Sequence, residues 1–377
     1  MNLRRTKAVA RKEFLHIIRD PRSLGMALAV PLVMLLLFGY ALSLDVDRIP
    51  TLIYDADLSH ESRRLIERFY GSRYFEILGI VDEYKTIEMK IDRNECLIGV
   101  VIPNDYSKNL LSGKIADVQI LIDGSDSNTA SIALGYAESL LQLYSIELKS
   151  EFLNGKGGGQ LTPPVEARLR VWYNSELKSR NYIVPGLIAV ILMIITANLT
   201  SLTIAREWET GTMEQILSTP LRPKELVLGK LTAFFCLGLI DMLITIGAGV
   251  MFFHIPMRGS ILILFLTGCI FLFGVLCWGI LISAIARSQL LAYQMGTITS
   301  FLPAFLLSGF IYAIENMPKV IQIVTHIVPA RYFITILRGI FLKGVGIKIL
   351  WFEMTLLIIF AWLVFTLATR KVRQKLL

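Results

Sequence analysis

Histidine and cysteine are scarce, with four of each in 377 residues, and neither type is grouped. His16, His60, His254 and His326 lie far apart and read as surface or interface residues, so no imidazole metal site is encoded. Cys236, Cys269 and Cys277 fall within apolar runs, while Cys96 stands alone in a polar region, which excludes a disulfide framework or a thiolate metal site. No G-x-x-x-x-G-K-[ST], G-x-S-x-G or H-E-x-x-H occurs, so the chain is expected to hold no catalytic centre of the P-loop, hydrolase-elbow or zincin kind. Charge is also short. Only 18% of residues are charged against 54% hydrophobic, too apolar a balance for an ordinary soluble enzyme.

What is abundant is long apolar runs. A crossing of about 30 Å of hydrocarbon takes roughly 20 helical residues, and six windows reach it: Ser23–Leu44, Tyr182–Ala205, Leu231–Phe253, Ile261–Ile285, Leu290–Ile314 and Ile349–Thr369. Lys and Arg crowd the first 22 residues, the loop holding Arg206, Arg222, Lys224 and Lys230, and the tail holding Arg370, Lys371, Arg373 and Lys375. Both ends and that loop are therefore expected to be cytoplasmic, leaving 45–180 outside. The charge divides along the same line: 45–180 carries 21 acidic and 16 basic residues, and the remainder 9 and 22. Basicity is thus mainly membrane-flanking, which argues against a nucleic-acid partner and for membrane lipids.

The first apolar run is longer than a secretory signal core and follows a segment of helical character, so residues 23–44 read as a span and not as a cleaved leader. In residues 1–22, Ala10, Phe14, Ile17 and Ile18 share a face among basic residues, predicting an amphipathic helix on the cytoplasmic surface of the bilayer that breaks at Asp20-Pro21. Residues 45–180 alternate β-rich and helical stretches, which predicts an α/β extracytoplasmic domain inserted between the first and second spans. Its strands are expected at Thr51–Tyr54, Phe75–Val81, Cys96–Ile102, Val118–Ile122 and Ala167–Trp172, and its helices at Leu58–Tyr70, Glu83–Arg93, Tyr106–Leu111 and Asn128–Phe152. The polar run Asp123–Asn128 reads as a helix cap and Gly155–Gly159 as a linker. The expected fold class is an α-helical polytopic membrane protein with six transmembrane helices plus this domain.

The second span runs straight into Arg206-Glu207-Trp208-Glu209-Thr210-Gly211-Thr212-Met213-Glu214-Gln215, a compact polar element at the cytoplasmic end of a lipid-embedded helix. Thr210 or Thr212 is expected to cap a short helix, with Met213, Ile216 and Leu217 forming an apolar face for docking and Pro220 and Pro223 ending it.

Ala205 through Pro220 strongly resembles the cytoplasmic loop of ABC-2-type ABC transporter permeases. Arg19-Asp20-Pro21, Leu307-Ser308-Gly309-Phe310 and Pro329-Ala330-Arg331-Tyr332-Phe333 look alike as well, so the resemblance covers essentially the whole chain and is closest to the multidrug-type exporters of bacterial envelopes. It implies a permease subunit in the bacterial inner membrane that pairs with a second permease subunit, identical or a similar paralogue, and is driven by a separate cytoplasmic ABC ATPase. This chain would bind no cofactor, ATP and Mg belonging to the ATPase; a periplasmic adaptor is a further partner class. The resemblance makes the loop 206–226 the coupling element, with Arg206, Glu207, Glu209, Gly211, Thr212, Met213, Glu214, Ile216 and Leu217 as its residues. It makes 315–347, divided by Pro318 and Pro329, a re-entrant pair of short helices within the transmembrane bundle 181–377.

Asp241 is the only ionisable residue near a span's middle and is therefore costly in lipid. Two readings stand: a substrate-contacting or proton-linked group, or a hydrogen-bonded packing contact. Since the resemblance sets the second and fifth spans facing each other, Asn198, Thr200, Gln294 and Thr297 join Asp241 as expected pathway residues. The resulting reading is an ATP-driven exporter of hydrophobic or amphipathic molecules. A secondary transporter or sodium exporter, or a receptor sensing through its outer domain, are the alternatives.

Overall fold

The computed structural model describes residues 2–42, 48–155, 173, 178–286 and 288–376. Helix α1 (Leu3–Arg19) starts at Asn2, whose side chain accepts from Arg4 N at 3.1 Å. It stops at Asp20, and α2 (Pro21–Ala41) begins on the proline, whose missing N–H costs nothing in a first turn.

Contacts separate Leu44–Arg170 as one compact unit from the rest of the chain. In order it contains β1 (Ile49–Asp55), α3 (His60–Tyr70), β2 (Phe75–Val81), α4 (Tyr84–Asp92), β3 (Ile98–Ile102), α5 (Tyr106–Leu111), β4 (Gln119–Ile122) and α6 (Ser127–Gly155). The sheet order is β2-β1-β3-β4. β1 pairs in parallel with both β2 and β3, as helical crossovers require, and β4 closes one edge antiparallel to β3. Every residue of the inner strand β3 is buried, which its unbroken apolar run Ile98-Gly99-Val100-Val101-Ile102 permits. The expected strand Ala167–Trp172 and the linker beyond Gly155 lie outside the described residues.

The second unit is helical: α1 and α2 are joined by α7 (Ser179–Glu209), α8 (Thr212–Leu217), α9 (Pro223–Phe253), α10 (Ile261–Ile285), α11 (Gln289–Leu306), α12 (Lys319–Val324), α13 (Pro329–Arg338) and α14 (Ile347–Leu376). α7 is the central rod, buried along most of its length and packed on α2, α9, α10, α11 and α13. Small residues let the rods approach: Gly279 of α10 sits against Thr200 and Ala197 of α7, and Gly268 of α10 against Met242 of α9. Five helices (α2, α7, α9, α10 and α14) are long and apolar enough to cross a membrane, or six elements if the bent pair near residue 328 is one span. The protein is accordingly a multi-pass membrane protein.

The expected fifth span Leu290–Ile314 needs correction. α11 has 18 residues and stops at Leu306, and Gly309 in the left-handed region (φ 79°) turns the chain away. The expected division of 315–347 has a physical form: α12 with a 3-10 turn at Thr325–Ile327, then α13 with a π turn at Gly339–Lys343, the two halves bent by 88°. Val328 before Pro329 is extended, as a pre-proline residue prefers, and that places the bend.

Candidate functional site

At the Glu209 end of α7 the polar element divides its charges between three neighbours. Glu207, only 5% exposed, turns inward: its Oε1 accepts from Lys12 Nζ at 2.7 Å and lies 2.9 Å from Lys230 Nζ. Lys230, 1% exposed, also donates to Glu13 Oε1 at 2.9 Å, and Lys12 Nζ lies 3.3 Å from the same oxygen. Two lysines and two glutamates thus form a closed square joining α1, α7 and α9. Its formal charge is zero, which is what allows an ammonium to be enclosed at all. Burial pushes the Glu13 carboxyl upward, but Lys230 and then Lys12 outweigh it and hold the group below the usual carboxylate range. Burial likewise lowers the Lys12 ammonium, yet Glu207 and Glu13 raise it more, to a net value above the ordinary one. Glu207 Oε2 is enclosed without a hydrogen-bond partner among the described residues.

Glu209 and Arg206 face elsewhere. Glu209 Oε2 accepts from Gln289 N at 2.7 Å, and Arg206 Nε donates to Gln289 Oε1 at 3.2 Å, so both clasp the first turn of α11. Glu225 does the same for α1 and α9, accepting from Asn2 N at 2.6 Å and from Arg222 N at 3.1 Å. Arg5 donates to the carbonyl of Pro220.

Two local expectations are corrected. Neither threonine caps α8: its N-cap is Gly211 with φ 74°, while Thr210 Oγ1 donates back to Arg206 O at 2.8 Å. Nor are Met213 and Ile216 of the expected apolar face turned outward, while the side chain of Leu217 lies outside the described residues. Met213 is 1% exposed and packs with Val9, Ile204, Leu226 and Val227, with Ile216 alongside. The surface α8 offers is polar: Thr212, Glu214, Gln215 and Ser218 are exposed, and Glu214 has no ion partner among the described residues. α1 is held along Val9 and Glu13, a line beside the expected face, with Val9 set against Gly229 of α9 and Ile17 of that face packed alongside. Phe14, Leu15 and Ile18 remain exposed.

The square's members Lys12, Glu13 and Lys230 went unread as a site. The available signals were that Glu13 is the sole acid among the basic residues of α1, and that Lys230 directly abuts an apolar run.

The expected pathway residues do not gather in one place. Asn198 Oδ1 of α7 accepts from Thr297 Oγ1 of α11 at 3.3 Å, and Gln294 is exposed on α11. Thr200 instead donates to the Leu276 carbonyl of α10 at 3.0 Å, which makes it a packing contact. Asp241, buried in α9, is 3.5 Å from Thr245 Oγ1 of its own helix, and its Oδ2 has no hydrogen-bond partner among the described residues. On the far end of α7, Arg338 donates to Gly309 O at 3.0 Å, Tyr182 O at 3.3 Å and Phe310 O at 3.4 Å, and its guanidinium stacks 3.4 Å over the Tyr182 ring. One side chain thereby satisfies the carbonyls freed where α11 ends and ties α13 to α7.

The sequence pattern of the ABC-2 family of transporter proteins matches residues 21–370. The probable multidrug ABC transporter permease YbhS of Escherichia coli K12 is 37% identical over 345 residues, covering 91% of this chain and 90% of that protein. The probable multidrug ABC transporter permease YbhR of the same strain is 32% identical over 341 residues, covering 90% of each. ABC transporter G family member 20 of Dictyostelium discoideum is 21% identical over 360 residues, 95% of this chain and 49% of that protein. The family is one of membrane subunits that work with an ABC ATPase. The chain belongs to the ABC-2 family of transporter proteins, as the permease subunit of an ABC exporter.

Proposed function

We propose that α8 is the element gripped by the cytoplasmic ATPase and that the Lys12–Glu13–Glu207–Lys230 square passes its displacement to α1, α7 and α9 together. The observation that carries this is Glu207: it lies three residues before the turn that starts at Thr210 and leads into α8, and it is bonded to lysines of two other helices. A push on α8 therefore cannot move α7 alone. What α8 shows to the ATPase is polar and acidic, so recognition runs through Glu214 and Gln215, with Met213 and Ile216 anchoring the helix from behind.

The same reading keeps both termini and α8 in the cytoplasm and 45–180 outside. It takes α11 as the fifth crossing, since 18 residues span about 27 Å, and the bent α12–α13 pair as re-entrant, which leaves six crossings. A second permease subunit pairs in the membrane, and Asn198, Thr297 and Gln294 of α7 and α11 are the pathway residues retained. The cargo is hydrophobic or amphipathic, in line with the multidrug description of the relatives and a bundle poor in charge. Asp241 is left out of that set, its described hydrogen bond being within α9, to Thr245.

Glu214→Lys tests the coupling, because it alters the outer face of α8 without touching the square. The expected result is a correctly inserted permease that no longer stimulates its ATPase and no longer exports. Normal stimulation and export by that variant would overturn the proposal.

A further inference from the structure

Lys230 of α9 meets Glu207 of α7 at 2.9 Å, and further along Gly249 of α9 packs on Ile188 of α7, so the two helices run antiparallel in a fixed register. Eleven residues beyond Lys230 stands Asp241, and eleven before Glu207 stands Thr196; eight more along each helix reach Gly249 and Ile188. Eleven residues make almost three whole turns. Asp241 therefore keeps the face that Lys230 turns to α7, and Thr196 the face that Glu207 turns to α9. The two side chains oppose each other midway along the seam.

Both are enclosed, Asp241 at 1% and Thr196 at 0% exposure, and neither Asp241 Oδ2 nor Thr196 Oγ1 has a hydrogen-bond partner among the described residues. Thr245 donates to the Asp241 backbone carbonyl at 2.7 Å, leaving only a long 3.5 Å contact to Oδ1. No cation is placed to answer the carboxyl. Lys230, three turns away on α9, is held by Glu13 and Glu207, and α1 meets α9 only at that end. Of the other helices packed on α9, α7 has no ionisable residue between Tyr182 and Arg206, α2 none between Arg22 and Tyr40, α14 none between Glu353 and Arg370, and α10 only Cys269 and Cys277. An ionised carboxylate enclosed there would cost several kcal/mol with nothing to offset it.

We propose that Asp241 is held as the neutral acid and shares one bound water with Thr196, so that the ligands of this site are a proton and a water molecule. The acid donates its Oδ2 hydrogen to the water, and the water donates one of its own to Thr196 Oγ1. Buried waters take up otherwise unsatisfied groups in this way, with two to four bonds each. The site lies between an ion-paired contact and a tightly packed glycine, so a slide of α7 on α9 would exchange water bonds there in place of packed atoms.

The test is infrared spectroscopy and high-resolution electron cryo-microscopy of the full-length protein in phosphatidylcholine nanodiscs at neutral pH. The difference between wild type and Asp241→Asn is expected to show the carbonyl stretch of a neutral carboxyl. Melting temperature should not change, because the amide copies the acid in shape and in its donor. Thr196→Val, which leaves the carboxyl intact, is expected to shift that stretch to higher frequency. The wild-type map is expected to show an isolated density within hydrogen-bond reach of both side chains, lost in Thr196→Val. A carboxylate stretch in place of the acid would overturn the bound proton, and its conversion to the acid on replacing sodium by choline would assign the place to a cation. A direct Asp241–Thr196 bond in the map would overturn the water.

Discussion

Lys230 and Glu13 meet at 2.9 Å across 217 positions of sequence, and the lysine, 1% exposed, is enclosed like a core residue of the bundle. Removing one partner of a buried pair strands the other, at a cost of about 3–5 kcal/mol. Lys230→Met is therefore expected to destabilise the purified protein by that order, because both glutamates then share only the half-exposed Lys12. Glu13→Gln should cost less, since Lys230 and Lys12 keep Glu207. Thermal unfolding in detergent, comparing the two variants, checks the order.

The square also has a pH signature. Glu13 titrates below an ordinary carboxylate, so its contribution is complete above the unfolded value of about 4.3 and is lost as pH falls through the lower folded one. Lys12 titrates above an ordinary ammonium, so its share is lost only as pH rises through that raised value. The α1–α9 contact should hold across neutral pH and loosen in acid. A spin-label distance between the two helices should lengthen below about pH 4, and Glu13→Gln should flatten the acid step.

Gly279 leaves no room for a side chain, since a Cβ there would strike Thr200 Oγ1 and the Ala197 carbonyl. The carbonyl cannot swing aside. Gly279→Val is expected to force α10 off α7, breaking the Thr200–Leu276 bond and costing about 1–3 kcal/mol or more. Lowered thermal stability with unchanged membrane insertion is the expected measurement, whereas Gly247→Ala, where no atom lies within 4 Å, should be silent.

Arg338 is not replaceable by lysine. A single ammonium cannot reach three carbonyls on two elements and stack on Tyr182 as the planar fork does. Arg338→Lys is expected to speed hydrogen exchange at Gly309–Ala313 and at the start of α7 while leaving the α1–α9 contact unaltered.

Where pattern alone sets a structure, the sequence was readable. Phe75–Val81 and Tyr106–Leu111 form at the expected positions, and Asp20-Pro21 breaks α1 from α2, because alternation and proline act locally. α11 was overextended because apolar residues continue to Ile314, while the stop comes from the positive φ of Gly309 and from a guanidinium supplied 29 residues later. The same limit applies to the site. Glu207 stood out as an acid at a membrane boundary, but its partners lie 195 and 23 positions away, and no spacing rule links them. Met213 read as an outward docking residue because the amphipathic period of a six-residue helix reveals an apolar face without revealing what faces it.

α7 runs unbroken from the Tyr182 carbonyl held by Arg338 to the Glu207 carboxylate held by the two lysines, about 38 Å at 1.5 Å per residue. A rod of that length pivoting by only 5° at one tip carries the opposite tip through roughly 3 Å, more than the stretch any hydrogen bond survives. On the coupling proposed above, work delivered at the Glu207 end would be felt at the Tyr182 end as the release of one arginine, with no relay of side chains in between.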